Sequence, residues 1–362
     1  MSRHTEGVSF GAYVHIPFCA RRCDYCAFAT WTDRSHLVGA YLDALRADIG
    51  RHVASGELPR STSVFFGGGT PSLVPAEGLM AVLAEIPLEV GAEVTVECNP
   101  DTVDRALLET YAAGGVDRIS LGVQSMVPSV LTALGRSHDP EAVARAVDLA
   151  RSVGLRTFNL DLIYGGAGET LDDWSRTLDA VIDLDPPHVS AYALTVEAGT
   201  PLAADEARHP DDDDQADKYL MAEERLTAAG LANYEISNWA KPGHACRHNE
   251  LYWAQGDYLG FGCAAHSHRD GRRWWNVRTP ERYVEAVADG RSTEAAGEEL
   301  EPDRRRVEGL QLALRTAEGV PSGSLDPDDL ELLDGLVVEA NGRLRLTVEG
   351  RLLANEVAVR LR

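Results

Sequence analysis

The sequence predicts an α/β protein, a partly open barrel of six serial β/α units followed by a small α+β extension of winged-helix type. Three observations predict it. Between residues 10 and 235, short apolar runs alternate with longer amphipathic stretches, the pattern of a parallel sheet with right-handed crossovers. Six such units are present, short of the eight that close a full barrel. Past residue 235 the alternation stops, and the chain ends in a helix–hairpin–helix pattern.

The first strand is Phe10–Ile16, ended by Pro17, which has no N–H for a ladder. Strands at Ser63–Phe66, Val94–Cys98, Arg118–Val123, Thr157–Ile163 and His188–Leu194 follow. Helices are expected at Arg34–Ala54, Ala76–Ile86, Asp104–Ala113, Pro140–Val153, Leu171–Asp183 and Gln215–Ala229. Asp139 precedes a proline at a first helical position, and Thr170-Leu-Asp-Asp173 has the layout of a capping box with Asp in place of Glu. Asp211–Asp214 reads as a solvated acidic turn that favours the helix start after it. Near the end, Asn341-Gly342 between Leu336–Val338 and Leu344–Leu346 is a hairpin turn, and the helix Glu349–Arg360 follows. The expected organisation is a core over residues 1–240, a connecting segment over 241–290 and a winged-helix-like domain over 291–362.

Composition narrows the function classes. The chain has 362 residues, 44% hydrophobic and 25% charged, as in soluble globular proteins. Its net charge of −23 argues against nucleic acid or an anionic membrane as a main partner, because both reward basic patches. The N-terminal residues lack a signal-peptide layout, and no apolar run approaches the ~20 residues that span a bilayer. A cytoplasmic location follows, where thiols stay reduced. The six cysteines then form no disulfide framework, and three of them crowd one loop, Cys19-Ala-Arg-Arg-Cys23-Asp-Tyr-Cys26.

Thiolates at that spacing suit zinc or an iron–sulfur cluster. Structural zinc wants a fourth protein ligand. A [4Fe–4S] cluster on three cysteines leaves one iron open for a small molecule. The loop follows strand one, at the strand C-terminal ends where such sheets bind ligands, a place structural zinc has no need of. Strand two ends in Gly67-Gly68-Gly69-Thr70, a turn that lets backbone approach a ligand, although a tight strand–helix turn would use the same residues. Glu97, Gln124 and Asp161 lie in or at the ends of the next strands, with Arg136 in the loop after the fourth. Together they furnish one polar group per strand end for a nucleoside-sized ligand.

These features resemble the radical S-adenosylmethionine (SAM) superfamily, whose signature is CxxxCxxC after a first strand. The resemblance covers roughly residues 10 to 240 and makes the barrel a partial (β/α)6 radical SAM barrel. It implies a [4Fe–4S] cluster on Cys19, Cys23 and Cys26, fed by an electron donor, with SAM on the open iron. Tyr13-Val-His-Ile-Pro-Phe-Cys19, Phe66–Ser72, Gly122-Val-Gln-Ser125 and Asp161-Leu-Ile-Tyr-Gly165 look like motifs of the coproporphyrinogen III oxidase-like branch. That likeness implies SAM contacts from Tyr13, Tyr25, Gly68, Gly69, Thr70, Glu97, Gln124, Arg136 and Asp161, with Arg136 on the methionyl carboxylate and Tyr25 near the adenine.

Within the branch, the oxygen-independent oxidase carries a fourth cysteine where this chain has Phe28, and a longer segment before the cluster than the 18 residues ahead of Cys19. Cys26-Ala-Phe28, the HNxxYW match at His248, Asn249, Tyr252 and Trp253, and Gly260–Ser267 instead resemble the branch's heme chaperones. The implied function is binding of heme, with His248 as ligand or pocket wall, and its delivery to respiratory hemoproteins. Membrane contact would be peripheral, through those clients. Oxidative decarboxylation of coproporphyrinogen III is the alternative. One departure is Gly165-Gly-Ala-Gly-Glu-Thr170, which lacks the proline common in that loop.

Overall fold

The structure, a computed structural model, describes residues 9–136 and 138–361. Six parallel strands lie side by side in chain order: β1 (Phe10–Ile16), β2 (Ser61–Gly68), β3 (Leu88–Cys98), β4 (Arg118–Gln124), β5 (Thr157–Tyr164) and β6 (His188–Ala193). The crossovers carry α1 (Val38–Ala54), α2 (Ala76–Leu83), α3 (Arg105–Gly114), α4 (Pro128–Ala133), α5 (Pro140–Ser152) and α6 (Leu171–Asp183). One set of alternate strand residues is fully buried and apolar, including Ala12, Val14, Ile16, Val64, Phe66, Leu160, Leu162 and Val189, and forms the main core. The opposite set, including Tyr13, Phe65, Glu97, Ser120, Asn159, Asp161 and Ser190, faces the lumen.

The helix starts obey local chemistry. Asp139 accepts from the Glu141 N–H, and Thr170 and Asp173 cap each other reciprocally. The Asp211–Asp214 run is more than a turn: Asp211 is the N-cap of α7 (Asp212–Ala228), and the other three aspartates form its first turn.

The sheet continues beyond the six units in both directions. At one edge β6 pairs antiparallel with β8 (Asn238–Ala240), which pairs with β7 (Ala232–Glu235). After α8 (Arg247–Trp253), β9 (Asp257–Phe261) returns across the molecule and pairs parallel with β1. The antiparallel β10 (His266–Arg269), β11 (Arg272–Asn276) and β12 (Glu294–Glu299) extend that side, giving twelve strands, while α9 (Pro280–Ala288) packs on α1. Residues 241–290, expected as a connecting segment, contribute three of the four strands at the sheet's second edge, and β12 belongs to the large sheet as well.

The winged-helix-like portion begins at α10 (Pro302–Ala313) and adds β13 (Val320–Pro321), α11 (Pro327–Leu332), β14 (Val337–Ala340), β15 (Arg343–Leu346), α12 (Val348–Leu352) and α13 (Ala354–Arg360). Its own core gathers Leu314, Val320, Leu333, Leu344 and Val357. Asn341 (φ 52°) and Gly342 (φ 72°) are both left-handed, as a two-residue type I′ hairpin requires. Arg351 of α12 docks this unit on α7 through Glu223, at 2.6 Å. Among the described residues no helix is long and apolar enough to cross a membrane.

Candidate functional site

The cysteine loop is closed by backbone. The Trp31 N–H donates to the Pro17 carbonyl (2.8 Å) and the Cys19 N–H to the Trp31 carbonyl (3.1 Å), so residues 17–31 leave and re-enter at the tip of β1. The turn after β2 is fastened to the same tip. Gly69 N–H donates to Ile16 O and Thr70 N–H to Phe18 O, both at 2.8 Å. Only glycine fits there: a Cβ on residue 69 would lie 2.7 Å from Phe18 O, 2.8 Å from Ile16 O and 3.1 Å from the Cys19 sulfur. The glycine turn and the thiols are thereby one construction.

All three thiols are half-buried. Burial pushes the Cys19 and Cys26 thiols up, and a donor offsets this at Cys19, where the Thr70 hydroxyl reaches the sulfur at 3.6 Å. Arg136 Nη1 lies 3.7 Å from the Cys23 sulfur, and its Nη2 donates to the Gly122 carbonyl at 2.8 Å. A hydroxyl and a guanidinium thus stand as donors beside two of the three sulfurs.

Polar groups converge on the lumen beneath. Glu97 accepts the Gly68 N–H at 3.0 Å. Burial first, and the neighbouring Asp161 second, push its carboxyl up to about 8. Asp161 is raised by burial as well, opposed by the Ser120 hydroxyl (2.7 Å) and the Asn159 amide (2.8 Å) that donate to its oxygens. A register shift in β4 puts Gln124 at φ 63° and brings its amide beside Arg136: a Cβ on Gly122 would meet Gln124 Nε2 at 3.0 Å and Arg136 Nη2 at 3.3 Å. Tyr13 bonds His15 Nδ1 at 3.1 Å. Tyr25 packs with Val127, Val130, Leu134 and Ile163 at the opposite rim, its hydroxyl raised by burial and by Cys23.

Sequence reasoning missed the floor under these groups. Asn159 links Asp161 to Ser120, Ser190 and His188, and the other His188 nitrogen meets the Tyr234 hydroxyl at 2.8 Å. The signal was present as period-two polarity: Arg118, Ser120 and Gly122, then Asn159 and Asp161, then His188 and Ser190, alternating with apolar residues. His15, which holds the Ala29 carbonyl of the cysteine loop at 2.9 Å, was also missed.

His248 lies apart from the cysteine loop. It stands on α8 below Tyr13 and Phe65, only 1% exposed. Nδ1 is bonded to Ser63 Oγ (2.9 Å) and Nε2 to the Tyr252 hydroxyl (2.8 Å), and the ring stacks on Phe65 at 5.4 Å. Burial holds its pKa down at about 3, so the imidazole is neutral. Both nitrogens are engaged and the side chain is buried at the barrel floor.

The donor set fits the groups expected. Three soft thiols, each from a different point of the loop, suit a cubane in which each cysteine holds its own iron. Among the described residues no three His, Cys, Asp or Glu side chains converge on a single ion position. The glycine cradle, the guanidinium of Arg136 and two buried carboxyls suit a ligand with a carboxylate, an ammonium and ribose hydroxyls.

Comparison with known proteins agrees. A sequence model of the Radical SAM superfamily matches residues 13–181. The heme chaperone HemW of Mycobacterium tuberculosis is 42% identical over 368 aligned positions, covering 97% of this chain and 94% of its own. HemW of Escherichia coli is 36% identical over 362 positions, covering 95% and 96%. Among solved structures, the E. coli coproporphyrinogen III oxidase HemN, a radical SAM enzyme, superposes with a TM-score of 0.85 at 26% identity, covering 98% of this chain and 90% of that one. With the cysteine loop, the glycine cradle and the lumen carboxyls in the same chain as this full-length similarity, the protein belongs to the HemW family of the radical SAM superfamily.

Proposed function

We propose that this protein is a cytoplasmic heme chaperone, which binds heme and passes it to respiratory hemoproteins. The observation that carries the reading is Phe28. It is 67% exposed on the cysteine loop, where the oxidase group has a fourth cysteine, and leaves an apolar side chain facing outward beside the cofactor site. Cys19, Cys23 and Cys26 hold a [4Fe–4S] cluster in this reading, and Thr70 and Arg136 donate toward the sulfurs. Arg136 also takes the SAM carboxylate, Glu97 and Asp161 accept from its amino group or ribose hydroxyls, and Gly68, Gly69 and Gln124 supply polar contacts around it. Tyr13 and Tyr25 enclose it from opposite sides of the lumen, with Tyr25 toward the adenine. The cluster and SAM together supply one-electron reductive chemistry when an external electron donor is present.

The test is anaerobic reconstitution with iron, sulfide and SAM, followed by hemin titration, a 5′-deoxyadenosine assay and incubation with coproporphyrinogen III. A saturable heme spectrum without protoporphyrinogen formation is expected. Protoporphyrinogen formation without heme uptake overturns the proposal in favour of the oxidase reading.

A further inference from the structure

The strands that extend the sheet beyond β1 carry a second group of side chains on the lumen face. Tyr13 pairs with Gly260 across β1 and β9. Tyr258 opposite His268 fixes the antiparallel register of β9 and β10, so Gly260 lies opposite His266. The backbones approach so closely there that a Cβ on residue 260 would stand 2.1 Å from the His266 carbonyl oxygen. His266 pairs with Trp275, and Trp275 with Ala296. One row therefore reads Tyr13, Gly260, His266, Trp275, Ala296 across five strands. The two large rings at its centre are flanked in the row by a glycine and an alanine.

His266 differs from the other histidines among the described residues. His15, His52, His188, His209, His244, His248 and His268 each spend a ring nitrogen on a hydrogen bond. His138 is 5% exposed. Among the described residues, His266 is an exposed ring that makes no hydrogen bond, and it stacks on Trp275 at 5.6 Å with 29° between the planes. His36 is exposed too, but sits in the turn Ser35–Leu37 ahead of α1, off the sheet.

We propose that His266 is the axial ligand to the iron of the carried heme, with Trp275 flanking the porphyrin. The inference rests on the heme-chaperone reading above and names the place where that heme is held. An imidazole lone pair beside an aromatic plane is what heme asks of a surface. Burial and the nearby Arg273 lower the His266 pKa, which keeps the ring in its ligating, neutral form at pH 7. The site also borders the cysteine loop. His266 is close enough to His15 for its charge to act there, and His15 holds Ala29, the residue after the exposed Phe28. Phe28, next to Ala29, adds exposed apolar surface on the cysteine loop.

The experiment uses the full chain, reconstituted anaerobically and titrated with hemin, read by the Soret band and by electron paramagnetic resonance. His266→Ala should weaken hemin affinity by roughly tenfold or more and remove the imidazole-ligated signature, with added imidazole restoring the signature. Trp275→Leu should weaken affinity by a few-fold and keep the signature. His36→Ala should change neither. Unchanged melting temperature and iron content in His266→Ala would show that the fold and cluster survive. If the wild type binds hemin and His266→Ala retains its spectrum and affinity, the ligand assignment fails while the chaperone reading stands. If the wild type takes up no hemin, the chaperone reading fails and this assignment with it.

Discussion

Glu97→Gln removes one buried titratable carboxyl and leaves the shape of the lumen intact. The carboxyl is pushed from 4.5 to about 8 in the folded chain, by burial and then by Asp161. A folded value above the unfolded one means that the protonated form is favoured by folding. The contribution to stability is complete below about 4.5 and is lost as pH rises through about 8. With about 1.36 kcal/mol per pH unit, the wild type should lose about 3.5 kcal/mol between pH 5 and pH 8 from this group alone. Glutamine does not titrate, can still accept the Gly68 N–H, and should lose none of it. Spread over an unfolding entropy of about 2.1 cal/mol/K per residue, that difference is about 4–5 °C. Calorimetric scans of both proteins without SAM, from pH 5 to pH 8, give the measurement: the melting temperature of Glu97→Gln minus that of the wild type should grow by this amount. A difference that stays constant within ~1 °C across the range would refute a neutral, buried Glu97.

Gly69→Ala should cost about 1–3 kcal/mol through overpacking against Ile16 O and Phe18 O, and should lower iron and sulfide per chain after reconstitution; full iron content would contradict the cradle. His248→Ala opens a cavity and orphans Ser63 and Tyr252, so urea unfolding should show a loss of about 2–4 kcal/mol while any heme signature persists. Thr170→Ala removes one half of a reciprocal cap and should lower stability by about 1 kcal/mol, with SAM affinity unchanged by titration calorimetry.

The six-unit sheet was legible because each of its strands is a dense apolar run bounded by breakers, and because the capping residues at 139, 170 and 211 announce their helices. The second edge was not. β12 reads Glu-Ala-Ala-Gly-Glu-Glu and is exposed throughout, so no burial pattern marks it as a strand; only pairing with β11 makes it one. β10 and β11 are four- and five-residue strands rich in arginine, with a Gly271 turn at φ 87° between them. The cysteine trio was legible as a candidate ligand set because ligand spacing is a one-dimensional property. The placement of His248 was not, since whether a helix lies at the mouth or the floor of a barrel depends on the crossing from β8 to β9. The same three-dimensional fact hid His266, which gains its neighbour Trp275 only through strand pairing.

The parallel pairing of β1 with β9 also bears on when the site can be finished. Phe10 pairs with Asp257 and Val14 with Phe261, contacts between segments separated by most of the chain. Such pairings carry a high loop-closure cost and form slowly. Until β9 arrives, one edge of the strand that leads into Cys19 is an open row of N–H and C=O groups. A growing chain displays its thiols early, while the strand beside β1 is made only once residue 261 has been added, so the wall next to the thiols is completed long after the thiols themselves.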